Sequence, residues 1–184
     1  MKPVTLSSAR LVLDQPTLDD VDVIASYCQD PIFEHYLTTP WPYTRADALR
    51  FVTTFAGNGW ESGGEYTWAI RHDGRFIGVI GYRTGRGDIG FWMGAPHRGN
   101  GYMTEAVGAV ADWLFSRGVT SIEWFCVAGN QASAAVARKS GFSYGGERPS
   151  PHAHRGDGEV AAWFGTLAAD DSRAPKPGWP VIPN

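Results

Sequence analysis

Two cysteines and three methionines are all the sulfur this 184-residue chain carries. Cys28 and Cys126 stand alone, without the spacing of a metal knuckle or the density of a disulfide framework, which fits reduced thiols in a cytoplasmic protein. Both read as small core residues. No stretch approaches the roughly 18 consecutive apolar residues of a membrane span, and Met1 to Arg10 lacks the apolar run of a secretion signal. Neither a membrane nor a targeting role is expected. Charge of one sign is also lacking: 16 basic and 19 acidic residues leave a net −3, which gives no footprint for nucleic acid. There is no internal repeat.

What is present is an ordinary globular composition, 43% hydrophobic and 19% charged, with eight tryptophans that suggest large aromatic surfaces in the core or in a ligand groove. The acidic residues crowd toward the start: Asp14, Asp19, Asp20, Asp22, Asp30 and Glu34 precede Trp41, against only Lys2 and Arg10. That end either attracts a cation or is a solvated helical face.

The pattern of apolar residues changes period along the chain. Leu11 and Leu13 alternate as a strand, Thr17 and Asp20 form a capping-box pair opening a helix over Leu18 to Cys28, a short helix follows Pro31, and Thr44 caps a third holding Ala48, Phe51, Val52 and Phe55. From Tyr66 the period is two. Tyr66 to Arg71, the turn Asp73-Gly74 and Phe76 to Tyr82 predict a hairpin, with Gly87 to Met93 as the next strand. Met103, Val107, Val110 and Leu114 predict a helix ending at Gly118; Ile122 to Val127 a strand; Gln131 to Ser140 a helix stopped by Gly141; and Phe142 to Gly146 and Val160 to Leu167 two last strands. Arg148 to Gly158 reads as a loop, in which His152 and His154 lack the carboxylate or cysteine partners of a metal site, so no metal is assigned. Residues 1–168 form one domain, and 169–184, with Pro175, Pro177, Pro180 and Pro183, form a tail too poor in apolar residues to fold alone. The fold class is α/β, an α+β mixed sheet, because the passage from Gly87 through a helix to Val127 needs a crossover.

The chemistry concentrates in His97-Arg98-Gly99-Asn100-Gly101-Tyr102-Met103, between a strand and an amphipathic helix. Glycines let the backbone approach a ligand, and the first N–H groups of the following helix lack intrahelical partners, so the turn suits an anion, with Arg98 adding charge. A tight connection with an exposed arginine would carry the same residues. A dinucleotide fingerprint is weakened, since Thr104 stands where its third glycine belongs, and a P-loop is weakened too, since no Gly-Lys-Ser/Thr run exists; a nucleotide-binding Rossmann domain ranks third.

These residues resemble the GNAT superfamily of N-acetyltransferases, whose pyrophosphate signature is Q/R-x-x-G-x-G/A, with Met103 in place of the final small residue. Five further features resemble its RimJ/RimL branch: Ala9-Arg10-Leu11-Val12-Leu13, Asp88-Ile89-Gly90-Phe91-Trp92-Met93, the run Gly101 to Ala106, Asn130-x-x-Ser133, and Arg138-Lys139-Ser140-Gly141-Phe142. The resemblance implies a mostly antiparallel sheet with a splayed parallel pair and flanking helices. It implies acetyl-CoA as co-substrate, with Trp92, Met93 and Gly94 pairing with the pantetheine arm and Arg98, Gly99, Asn100, Gly101, Tyr102, Met103 and Thr104 holding the pyrophosphate. Asn130 would bond the pantetheine amide, a role it can combine with capping the next helix, and Lys139 would sit near the phosphates or in solvent at its helix end.

Acetyl transfer to an amine needs a deprotonated nitrogen, a stabilised oxyanion and a proton for the thiolate. The resemblance sets Ser133 beside the sulfur, and the backbone N–H of Met93 is placed for the oxyanion. Asp88 is the first candidate base and Glu34 the second; each also reads as a surface carboxylate. Trp41, Tyr43, Trp60, Trp68 and Trp92 are candidates for the acceptor wall or for the core. The expected function is direct acetyl transfer to a primary amine, a peptide N-terminus or a small molecule; the alternative is a non-catalytic acyl-CoA sensor or interaction module. Dimers are common in that branch.

Overall fold

The computed structural model describes residues 1–151 and 158–180. The strands are β1 (Leu6–Ser7), β2 (Leu11–Asp14), β3 (Glu65–His72), β4 (Arg75–Arg83), β5 (Asp88–Met93), β6 (Ser121–Val127), β7 (Ser143–Pro149) and β8 (Ala161–Ala168). They build one sheet in the order β1-β2-β3-β4-β5-β6-β8-β7. Every neighbouring pair is antiparallel except β5 and β6. That pair is joined by the crossover helix α5 (Tyr102–Ser116), as a parallel connection requires. The β3–β4 hairpin turns at Asp73 and Gly74, both with positive φ, the geometry that a two-residue loop needs to match strand twist.

Helices α1 (Val21–Tyr27), α2 (Pro31–Tyr36), α3 (Arg45–Arg50) and α4 (Gly57–Ser62) come before β3, and α6 (Gln131–Lys139) follows β6. The helix expected over Leu18 to Cys28 divides into a 3-10 turn at Leu18–Asp20 and α1, because the Asp20 carboxylate accepts from the Thr17 backbone N–H and hydroxyl and tightens the first turn. Asp20 is also gripped by both terminal nitrogens of Arg71 from β3, at 2.8 Å each. Burial pushes its carboxyl up, but the bonds from Arg71 and Thr17 outweigh that and hold it below the ordinary value. Thr44 caps α3 as its spacing predicts, accepting from the Asp47 N–H. The chain then runs through a π-turn, Phe51–Ala56, into α4, a break that apolar spacing does not reveal.

Strand alternation sends successive side chains to opposite faces and makes two cores. Ala69 and Val79 pack with Val21, Ile24 and Ala48 of α1 and α3. Trp68, Ile70 and Ile80 pack on the other face with Val107, Val110 and Leu114 of α5. This settles most of the tryptophans. Trp60 and Trp68 are fully buried beside Trp113, and the Trp60 indole donates to the Thr67 carbonyl, so both are core and not groove. Residues 169–180 hold no helix or strand, yet Trp179 packs against Trp124 and Tyr144, and Arg173 pairs with Asp112. The expected loop residues His152 and His154 lie outside the described residues.

Candidate active site

The parallel pairing of β5 and β6 stops after Asp88↔Glu123 and Ile89↔Trp124, although β5 continues to Met93 and β6 to Val127. Each stays bonded to its antiparallel neighbour on the far side, so the two facing edges diverge and leave a gap. The cleft on one side of this gap, about 310 Å³, is lined by Trp92, Met93, Arg98, Gly99, Gly101, Tyr102, Met103 and Thr104 together with Asn130, Ser133 and Lys139. Eleven positions from two separate stretches of the chain thus share one cavity. Gly94 and Asn100 do not line it. Gly94 is fitted against the Tyr27 ring, where a Cβ would come within 2.5 Å, and the Asn100 amide turns back to donate to the His97 and Arg98 carbonyls.

The turn itself has the backbone of an anion cradle. Gly99 and Gly101 adopt φ of 81° and 78°, and no side chain caps the helix at Gly101, so the N–H groups of Tyr102, Met103 and Thr104 open α5 unclaimed by a cap. The helix start is anchored from the β1–β2 turn: Glu105 accepts from the Ser8 hydroxyl and pairs with Arg10, whose other arm bonds the Asn100 carbonyl. Arg98 lines the cleft with its guanidinium already partly engaged. Its Nη1 pairs with Asp30, the N-cap of α2, and its Nε donates to the Met93 carbonyl, while Nη2 is buried in the lining without a partner. A flexible arginine so placed ties the helical segment to the end of β5.

The candidate catalytic residues separate. Ser133 lines both the first cleft and a second one of about 250 Å³ on the other side of the gap, and its hydroxyl accepts from the Trp124 indole at 3.1 Å. Asp88 has no exposed surface and is held by Arg83 through three contacts, the shortest 2.6 Å. A carboxylate so buried and bonded is a poor proton acceptor, and it lines none of the clefts. Glu34 is exposed on α2, also away from them. Asn130 caps α6, accepting from the Ser133 N–H, and also lines the two clefts.

The second cleft continues into a wider groove of about 880 Å³, and Thr38, Thr39, Phe51, Glu65 and Arg83 line both. Of the expected aromatic wall, Trp92 lines the first two clefts and Tyr43 the groove. Glu65, Thr67 and Arg83 escaped sequence reasoning; the available signal was Gly81 and Gly90 inside strands, where a missing side chain marks close approach by another group. Cys28 and Cys126 have thiols pushed up to about 12 by burial, with Ser133 partly opposing this at Cys126, so neither is a thiolate nucleophile at neutral pH.

A splayed parallel pair leading into a glycine turn at a helix start matches a known domain: the acetyltransferase (GNAT) domain family covers residues 10–143. The chain belongs to the GNAT acetyltransferases. Its fold and family are those of acetyl-CoA-dependent acetyl transfer. An uncharacterised N-acetyltransferase, p20 of Bacillus licheniformis, is 27% identical over 121 residues, which are 61% of this chain and 66% of that protein's length. Among solved structures, a Vibrio cholerae protein described as a candidate ribosomal-protein-serine acetyltransferase superposes with a TM-score of 0.79 at 20% identity, covering 91% of this chain and 99% of that one. RimJ of Mycobacterium smegmatis, bound to a CoA disulfide, gives 0.79 at 18% identity, covering 92% and 91%. Among the described residues no helix is long and apolar enough to cross a membrane.

Proposed function

We propose that this GNAT domain moves the acetyl group of acetyl-CoA directly to a primary amine, a peptide N-terminus or a small molecule, with both substrates bound at once. The observation that carries this reading is the meeting of two clefts at the β5–β6 gap, where Ser133 and Asn130 line each. One cleft has an anion-binding turn and the other opens to a groove, whereas a sensor of acyl-CoA needs only the first.

The residues fit the co-substrate. The unpaired edge of β5 from Phe91 to Met93 offers backbone groups for the amides of the pantetheine arm, as an added strand would use them. The N–H groups from Gly99 to Thr104 face a pyrophosphate, and Lys139 supplies the side-chain cation at the same cleft. Ser133 holds the thiol end, its hydroxyl oriented by the Trp124 indole that donates to it. Asp88 serves the site through Arg83 and not as a base. RimJ of Mycobacterium smegmatis binds a CoA disulfide in the same fold, and RimL, a ribosomal L7/L12 α-N-protein acetyltransferase of similar structure, supports a peptide α-amine as acceptor.

The test incubates the purified chain with acetyl-CoA and an amine panel while free thiol is measured, alongside calorimetric titration with CoA. Expected are micromolar CoA binding and acceptor-dependent thiol release. Tight CoA binding without turnover of any amine would favour the sensor instead.

A further inference from the structure

The acceptor side of the gap has a floor built from two bare glycines. Gly81 of β4 and Gly90 of β5 are direct register partners, on the same face as Val79 and Trp92 but beyond the reach of α1 and α3. Each is covered by a charged group from a neighbouring position. The Glu65 Oε1 lies 2.8 Å from where a Cβ on Gly81 would stand, and the Arg83 Nη2 and Nη1 lie 2.9 and 3.0 Å from the same point on Gly90. Side chains at these positions would displace both groups, so the glycines are what let a carboxylate and a guanidinium lie flat on the sheet. Opposed positions of this kind are about 5 Å apart, which sets the spacing of the two charges.

Two further observations point to a polar guest here. The Thr67 hydroxyl, on the register partner of Gly81, belongs to a residue only 2% exposed, has no hydrogen-bond partner and lines the inner cleft. The Thr39 hydroxyl, also buried and unpartnered, lines the inner cleft and the groove. A buried hydroxyl without a partner is unfavourable, and an ammonium or water that bonds it removes that penalty. Moreover, the floor sits where the gap begins, one residue beyond the last parallel pair Ile89↔Trp124. The Glu65 carboxylate, lying over Gly81 of β4, is therefore about one strand spacing, roughly 5 Å, from β5.

We propose that the Glu65 carboxylate receives the acceptor's ammonium and takes a proton from it, directly or through one water, with the Thr67 hydroxyl as a second oxygen partner and Arg83, fixed by buried Asp88, holding the floor beside it. This rests on the acetyl-transfer reading above. An alkyl ammonium first gives one proton to Glu65. The freed nitrogen pair then forms a C–N bond to the thioester carbonyl as the C–S bond breaks, its electron pair leaving on sulfur. The second nitrogen proton ends on that sulfur as the thiol, and Glu65 returns its proton to solvent through the groove. Glu65 and Thr67 thereby select an acceptor that arrives as a cation.

The experiment uses the full chain, benzylamine, spermidine and a serine-led tetrapeptide with a free N-terminus as probes, thiol release as the rate, and calorimetric CoA affinity as the control for folding, since Glu65 is outside the cofactor cleft. For the best acceptor, Glu65→Gln should cut kcat/KM about 100-fold, in the range of a lost acid–base group, with CoA affinity unchanged. Thr67→Val, which leaves every charge in place, should raise the amine KM several-fold. A Glu65→Gln rate within about threefold of wild type would overturn the Glu65 assignment while leaving acetyl transfer standing. No turnover of any probe by CoA-binding wild type overturns both together. If Glu65→Gln weakens CoA binding, Thr67→Val decides, and an unchanged amine KM then rejects the site.

Discussion

Replacing Gly101 by valine separates cofactor binding from folding more cleanly than any other single change. Gly101 sits at φ 78° at the N-cap of α5, and a Cβ there would find only the far end of Arg10, 3.6 Å away. Space is thus available, and the cost is conformational. A residue with a Cβ in the left-handed region loses about 1–2 kcal/mol relative to glycine, somewhat more when β-branched. For a chain of this length that lowers Tm by about 2–8 °C, leaving the protein folded at 25 °C. Binding suffers more, because relief of the strain rotates the peptide groups on either side and re-aims the N–H groups at the start of α5. Each hydrogen bond to a charged oxygen contributes about 1.5–3 kcal/mol, so losing two weakens CoA by roughly 10²- to 10⁴-fold. The assay is calorimetric titration with CoA beside a thermal melt. Gly99→Ala, also at positive φ but with open space around it, serves as the milder comparison. A folded Gly101→Val protein with unchanged CoA affinity would refute the placement of the pyrophosphate on this turn.

Two other outcomes are expected. Asp20→Asn takes from Arg71 its buried carboxylate and leaves it the partly exposed Asp14, and should destabilise by about 1.5–3 kcal/mol in urea unfolding at pH 7. Because the Asp20 carboxyl is lowered in the fold, its stabilisation is complete above the ordinary carboxylate value and fades as pH falls through the folded one; the gap between variant and wild type must narrow in acid, and a gap constant to pH 3 contradicts the pairing. Cys126→Ala, with the thiol pushed up to about 12, should keep most of the transfer rate, and trapping of an acetylated Cys126 would refute direct transfer.

Local order was legible because it is written in local terms. The period-two run over residues 66–82, the Asp73-Gly74 turn, the Thr44 cap and the glycines at 118 and 141 each act through the nearest few residues, and all appear as expected. The 3-10 start of α1 and the π-turn before α4 were not, since Asp20 answers to Arg71, distant in sequence, as much as to Thr17.

The sequence by itself determined the order of elements, the glycine turn and the family likeness, since these depend on residue type and spacing along the chain. Only the tertiary structure decided what each polar group faces. It buried Asp88 under Arg83, left Glu34 in solvent, turned Arg98 toward Asp30, and sent Trp60 and Trp68 into the core. It also brought Glu65, Thr67 and Arg83 onto two glycines beside a gap that no spacing encodes, because that gap exists only where β5 and β6, joined by a whole helix, stop pairing.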